Sequence, residues 1–110
     1  AFRQGLIMIR TVAITEFDLT LPATVWDVRD AKAYAEGHVA GAINQPLDTL
    51  TADLLVAVPA GEPVFVLCGG GSKAGRAAVL LASFDAERDI VELTGGTRAA
   101  KAAGMPIELG

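Results

Sequence analysis

The segment with the clearest chemical potential is a cysteine followed by three glycines. It reads Cys68-Gly69-Gly70-Gly71-Ser72-Lys73, and Cys68 is the only cysteine of the chain. Glycine adopts positive φ angles that other residues resist, so this run can turn sharply with its amide groups pointing inward. A helix beginning near Ser72 would add the positive end of its macrodipole. The segment therefore predicts an anion-binding loop that favours the thiolate form of Cys68.

Three alternative interpretations of this loop fit less well. Lone cysteines are most often inert core residues, but an inert residue has no need of three glycines, a serine and a lysine after it. A nucleotide-binding P-loop requires Ser or Thr after its lysine, whereas Ala74 follows Lys73. A phosphatase loop of the Cys-x5-Arg type requires arginine at position 74. A reactive cysteine is therefore the favoured interpretation.

The elements that must position this loop are visible as short apolar runs alternating with alanine-rich segments. Apolar runs ended by Asp, Gly or Pro are typical of buried strands, and alanine favours helix. The alternation predicts an α/β fold: a parallel five-stranded sheet with helices on both faces. Such sheets bind ligands at the carboxyl ends of their strands, where Cys68 would lie. The predicted strands are 11–14, 24–28, 42–44, 63–67 and 90–93, and the predicted helices are 31–36, 49–56, 72–84 and 97–103.

Composition and charge narrow the class of protein. Hydrophobic residues make up 52% of the 110 residues, which excludes intrinsic disorder, and no apolar run approaches the roughly 18 residues of a membrane helix. A net charge of −4 without a run of Lys or Arg argues against nucleic acid as a partner. One cysteine and one histidine do not make a zinc site, so we expect neither metal nor cofactor.

The length and the N-terminal sequence predict a single domain, its bounds in the chain and the compartment of the protein. A chain of 110 residues matches the commonest domain size. Residues 1–7 precede Met8, a candidate native start, and are interpreted as an expression remnant or a disordered N-terminus, which leaves 8–110 as the domain. No secretory signal is visible, and we expect a cytoplasmic protein with no membrane association.

Several blocks, in the same order, resemble the rhodanese family of single-domain sulfurtransferases over about residues 24–108. Residues 34–44 are similar to the family block Glu-Tyr-x-x-Gly-His-Ile-x-Gly-Ala-x-Asn, which is highly specific. Cys68 begins a loop that resembles Cys-x-x-Gly-x-Arg-Ser. The remaining matches are Trp26-Asp27-Val28-Arg29-Asp30 to an Asp-Val-Arg block, Leu93-Thr94-Gly95-Gly96 to a closing glycine pair, and Ala103-Gly104-Met105-Pro106 to Ala-Gly-x-Pro.

The resemblance implies a thiosulfate sulfurtransferase-like enzyme. Its Cys68 thiolate would attack the outer sulfur of thiosulfate or a persulfide donor, become a persulfide, and pass that sulfur to a thiol, to cyanide or to a protein acceptor. Amides from Gly69 to Lys73 would stabilise the charged outer sulfur as an oxyanion hole stabilises oxygen. In the family a six-residue loop, here Cys68 to Lys73, accompanies sulfur transfer, whereas a seven-residue loop accompanies phosphatase and arsenate reductase activity.

Departures from the family pattern keep other functions open. Lys73 stands where arginine is usual and lacks its bidentate fork, and Ala74 stands where Ser or Thr is usual. Residues 97–101 lack the tryptophans that usually follow the glycine pair. These departures favour the alternative of a non-catalytic regulatory or sulfur-carrier binding domain. Arsenate or phosphate ester chemistry is a third possibility.

For other polar residues the sequence predicts a structural role or leaves two roles open. Asp27 and Arg29 are expected to form a buried pair that ties loops together and supports the site. His38, the only histidine, is assigned to a turn rather than to a catalytic dyad. Arg76 either helps to hold an anion or lies on a solvated helix face. The two aromatic residues assigned to the core are Trp26 and Phe65.

Overall fold

A computed structural model describes residues 9–110, so the segment 1–7 interpreted above lies outside the described residues. Strands and helices alternate through most of this range, and two short 3-10 turns join them. The strands are β1 Ile9–Ala13, β2 Thr24–Asp27, β3 His38–Val39, β4 Ile43–Asn44, β5 Val64–Leu67, β6 Ile90–Thr94 and β7 Ile107–Glu108. The helices are α1 Ala31–Ala35, α2 Ala52–Val56, α3 Lys73–Phe84 and α4 Gly96–Ala102, with 3-10 turns at Ile14–Glu16 and Leu47–Thr49.

Five of the strands form one parallel sheet in the order β1-β6-β5-β2-β4. Each of them overlaps one of the strands predicted from the apolar runs, and each predicted helix overlaps an observed one. The predicted α/β class with a parallel five-stranded sheet is therefore confirmed. Within residues 9–110, no helix has the length and apolar character required to cross a bilayer.

The sheet is covered on both faces, as predicted, because successive side chains of each strand point to opposite sides. In β5, Val66 belongs to the cluster beneath α2 and α3, whereas the next residue, Leu67, belongs to the cluster beneath α4. Both side chains are fully buried. Burial on both faces explains why the sequence of β5 is a continuous apolar run rather than an alternating one.

Helix α3 packs closely on the sheet because its buried side is made of small residues. They recur at the spacing of one helix face, and their size brings the helix axis near the strands. The buried residues of α3 are Ala74, Ala77, Ala78, Leu81 and Ala82. Since β5 ends at Leu67 and α3 begins at Lys73, the intervening glycine loop is held by a strand at one end and a packed helix at the other.

A small antiparallel ribbon, which the sequence analysis does not predict, ties the C-terminal segment to the fold. β3 pairs with β7 so that His38 lies opposite Glu108 and Val39 opposite Ile107. Strands of two residues carry no periodicity from which they could be recognised.

The strand order places a crevice above the carboxyl ends of β2 and β5. From β2 the chain continues to β4 on one side, and from β5 it continues to β6 on the other. Ligands in open parallel sheets bind where the connections diverge in this way. Arg29 follows β2 and Cys68 follows β5, so both lie at this point.

Candidate active site

Cys68 is the first residue after β5 and lies beneath the glycine loop. Its side chain is only 4% exposed and packs with the apolar cluster on the α3 face. Its Sγ donates a hydrogen bond to the carbonyl oxygen of Gly71 at 3.7 Å. The residues above it, Gly70 to Lys73, are exposed. Cys68 is therefore a buried residue followed directly by exposed loop residues.

Helix α4 holds the first two peptide groups of the loop. The Cys68 carbonyl accepts hydrogen bonds from the Thr97 amide at 2.8 Å and from its hydroxyl at 3.3 Å. The Gly69 carbonyl accepts one from the Arg98 amide at 3.2 Å. The N–H of a trans peptide points opposite to its carbonyl. The amides of Gly69 and Gly70 therefore point away from α4.

The peptide between Gly71 and Ser72 presents its carbonyl, and not its amide, to the side chain of Cys68. Its carbonyl faces Sγ, so the Ser72 amide on the other side of the peptide plane points away from Sγ. The amides from Gly69 to Lys73 are expected to face the outer sulfur of a persulfide, and in the thiol form the amide of this peptide does not face Sγ. A thiol can donate to this carbonyl, whereas a thiolate cannot.

The start of α3 has no side-chain cap. Ser72 occupies the N-cap position in a helical conformation, and its side chain makes no capping hydrogen bond. By contrast, Asp30 caps α1 by accepting from the Ala33 amide at 2.8 Å. The first amides of a helix lack partners within the helix and carry partial positive charge. The uncapped end of α3 is thus an electropositive neighbour of the cysteine loop.

Gly96 fits against the loop in a way that no other residue can. Its φ is +56°, and a Cβ on it would lie 2.1 Å from the Cys68 oxygen and 2.8 Å from the Gly70 nitrogen. Distances this short are not tolerated between non-bonded heavy atoms. The second glycine of the pair at 95–96 therefore permits the contact between α4 and the cysteine loop.

Asp27 and Arg29 form the buried pair expected from the sequence. Asp27 is fully buried, and its carboxylate accepts from the Arg29 Nε at 3.0 Å and Nη2 at 2.8 Å. Arg29 also donates to the Gly37 carbonyl at 2.8 Å. Its Cδ lies 3.7 Å from the position of a Cβ on Gly69. The pair therefore lies beside the cysteine loop on its β2 side.

Within residues 9–110, neither His38 nor Arg76 forms a hydrogen bond with the Cys68 side chain. The buried His38 ring stacks on Tyr34, its Nδ1 lies 2.9 Å from the Tyr34 carbonyl oxygen, and its Nε2 lies 3.6 Å from Glu108. Arg76 lies on the exposed side of α3. Burial and the nearby carboxylates of Asp27 and Glu108 raise the pKa of Tyr34 above its ordinary value.

Arg98 is the residue that sequence reasoning missed. Its guanidinium lies over the loop, with Nη1 at 3.3 Å from the position of a Cβ on Gly70. The signal available in the sequence was its position two residues after the glycine pair, but nothing local indicates that this segment folds onto residues 28 positions earlier. Among residues 9–110, no group of three or more His, Cys, Asp and Glu side chains could hold a metal ion.

Comparison with known proteins decides the family. The sequence model of the rhodanese-like domain family matches residues 15–103. The chain belongs to the rhodanese-like domain family. The resemblance found in the sequence is thereby confirmed. The rhodanese-like domain is 39% identical over 75 residues to "Thiosulfate sulfurtransferase GlpE" of Pseudomonas fluorescens (strain SBW25). That match covers 67% of the chain and 66% of the relative, so the chain spans just under two thirds of it.

Solved structures agree with this assignment. A crystal structure of a rhodanese-like domain from Anabaena sp. is 35% identical, with a TM-score of 0.69, and the match covers 80% of this chain and 93% of that one. A rhodanese-related protein from Thermoplasma volcanium is 24% identical, with a TM-score of 0.77, and the match covers 92% of this chain and 99% of that one. The second likeness concerns the fold alone.

Proposed function

We propose that this rhodanese-like domain is a sulfurtransferase that carries sulfane sulfur on Cys68. The observation that carries the proposal is the position of the chain's only cysteine, at the carboxyl end of β5 beside the uncapped start of α3. Membership of the family and the similarity to a thiosulfate sulfurtransferase support the same activity. The proposed donor is thiosulfate or a small persulfide, and the proposed acceptor is a thiol, cyanide or a protein thiol.

Two displacement steps account for the transfer. Cys68 first loses its proton to solvent, and the thiolate attacks the outer sulfur of the donor. The donor's S–S bond breaks, and sulfite, or the thiolate of a persulfide donor, leaves with the electron pair. The acceptor then attacks the outer sulfur of the Cys68 persulfide, and the Cys68 thiolate leaves. The sulfane sulfur changes partners at each step, and no external oxidant or reductant is needed.

The surroundings of Cys68 contain groups that favour a persulfide anion and one carbonyl that opposes it. The uncapped amides of α3 and the exposed Lys73 favour negative charge on the outer sulfur of a persulfide. Ionisation removes the proton that Sγ donates to the Gly71 carbonyl. The favourable contact is then lost, and the facing lone pairs repel the sulfur. We expect the loop at Gly70 and Gly71 to readjust when the persulfide forms.

The burial of Cys68 restricts the donor. A side chain only 4% exposed can be reached by the slender terminal sulfur of a small molecule more easily than by a bulky group. A single thiol in a reducing compartment also remains available for the reaction, so the proposed setting is the cytoplasm.

The experiment is turnover of thiosulfate and cyanide to thiocyanate by the wild type and by Cys68→Ala. The proposal predicts turnover by the wild type and none above background by the variant. Arg10→Gln, which alters an exposed ion pair at the opposite end of the sheet, serves as the control variant with unchanged turnover. Inactivity of the wild type with thiosulfate and with persulfide donors would reject the enzyme and favour a non-catalytic binding domain.

A further inference from the structure

Arg98 holds the cysteine loop with its main chain and covers it with its side chain. The Arg98 amide donates to the Gly69 carbonyl at 3.2 Å. Its Nη1 lies 3.3 Å, and its Cβ 3.6 Å, from the position that a Cβ on Gly70 would occupy. The guanidinium is therefore placed over the loop by the same short segment that anchors the loop's peptide groups.

The charge of Arg98 is not neutralised by the part of the chain that the structure describes. Three other arginines are engaged: Arg10 with Asp89 at 2.9 Å, Arg29 with Asp27 at 2.8 Å and Arg88 with Asp85 at 3.6 Å. Within residues 9–110, the side chain of Arg98 makes no hydrogen bond or ion pair, and the residue is exposed. A guanidinium that lies beside a loop and still has its donors free can bind an anion there.

Gly70 provides the space for this placement. Its φ of +127° already disfavours any other residue. A side chain at position 70 would also meet the Arg98 guanidinium and the Gly95 carbonyl oxygen, the latter at 3.2 Å. The glycine therefore lets the guanidinium approach the loop as well as allowing the turn.

Lys73, the cation within the loop itself, cannot provide the same recognition. A lysine ammonium is a compact point charge, whereas a guanidinium presents a planar fork that binds two oxygens of an oxyanion together. We propose that Arg98 supplies this fork and selects donors whose sulfane sulfur is attached to an oxyanion, of which thiosulfate is the simplest. This inference rests on the proposed sulfur transfer at Cys68. In that reaction Arg98 holds the sulfonate oxygens of the donor, and the same oxygens leave on sulfite with the electron pair of the broken S–S bond.

The experiment compares two donors of different charge. Thiosulfate carries an oxyanion, whereas 2-hydroxyethyl persulfide carries a sulfane sulfur without one. The variants are Arg98→Gln, Arg98→Lys and Lys101→Gln, and the last removes a positive charge from the same helix as a matched control. None of them alters the main-chain bond from residue 98 to Gly69. Single-turnover rates of Cys68 persulfide formation, measured over a range of donor concentrations, give for each donor a limiting rate, written here as kcat, and a half-saturating concentration, written here as KM.

Arg98→Gln is expected to raise the KM for thiosulfate about tenfold, the effect of losing a hydrogen-bonded charged group that is partly hydrated. Its kcat for thiosulfate and both constants for 2-hydroxyethyl persulfide should stay within about twofold, because these do not depend on the fork. Arg98→Lys should raise the KM for thiosulfate less than Arg98→Gln does. Lys101→Gln should have the same KM as the wild type. An unchanged KM for thiosulfate in Arg98→Gln, or an equal loss with both donors, would overturn the proposal.

A binding measurement separates this inference from the proposed function. Calorimetric titration of thiosulfate into Cys68→Ala requires no sulfur transfer. Adding Arg98→Gln to that variant should weaken thiosulfate binding about tenfold, whereas adding Lys101→Gln should not. If the wild type takes sulfur from neither donor but this difference in affinity is found, the sulfurtransferase proposal fails and the Arg98 anion site stands. Equal thiosulfate affinity with and without Arg98 would reject the site.

Discussion

Replacement of Gly96 by alanine tests how strongly the contact between α4 and the cysteine loop is determined. The φ of +56° costs a residue with a Cβ about 1–2 kcal/mol. The overlap with the Cys68 carbonyl, at 2.1 Å, must be relieved by moving α4 or the loop, and overpacking of this kind costs about 1–3 kcal/mol. We therefore expect Gly96→Ala to lower the free energy of unfolding by about 2–5 kcal/mol.

Gly104 offers a matched control. It also has a positive φ, +75°, but a Cβ there would meet nothing within 4 Å. Gly104→Ala should therefore cost only the conformational part, about 1–2 kcal/mol. Urea unfolding followed by the fluorescence of Trp26, the only tryptophan and a buried one, measures both variants. Gly96→Ala should also form the Cys68 persulfide more slowly. Equal stability of the two variants would refute the inferred close approach.

Three further predictions concern polar contacts. Arg29→Met leaves the Asp27 carboxylate buried without its partner. The free energy of unfolding, measured by urea titration, should therefore fall by about 3–5 kcal/mol. A loss below about 1 kcal/mol would contradict the importance of this ion pair for stability. Arg88→Gln removes hydrogen bonds to four main-chain carbonyls and should lower the free energy of unfolding by about 1.5–3 kcal/mol. Arg10→Gln, which removes an exposed ion pair, should lower it by less than about 1 kcal/mol. Because the pKa of Tyr34 is raised in the folded state, the free energy of unfolding should fall as the pH rises above about 10. Tyr34→Phe should remove that part of the fall. An identical dependence of unfolding on pH in the variant would contradict this prediction.

The fold was predictable from the sequence because the apolar runs and alanine-rich segments follow the periods of strand and helix. The start of α3 was predicted within one residue, since Ser72 follows the three glycines and precedes a helix-favouring segment. The ribbon of β3 and β7 was not predictable, because its pairing depends on contacts between residues about 70 positions apart rather than on a local pattern.

The position of the cysteine loop in the fold was predictable from the sequence, whereas its geometry was predictable only in part. The glycines after Cys68 indicated a loop at the end of a strand, and the loop is there. The direction of each peptide group depends on partners elsewhere in the chain: Thr97 and Arg98 orient the first two peptides, and Sγ faces the carbonyl of Gly71. A local sequence pattern contains no information about these partners, and the placement of Arg98 over Gly70 was missed for the same reason.

The mass of the intact protein after incubation with thiosulfate tests the central claim most directly. Sulfur transfer through Cys68 predicts a gain equal to one sulfur atom, located on the peptide that contains Cys68. The gain should be absent in Cys68→Ala and removed by cyanide. An unchanged mass with thiosulfate and with persulfide donors, for a protein shown to be folded and reduced, would contradict the claim that Cys68 carries sulfur.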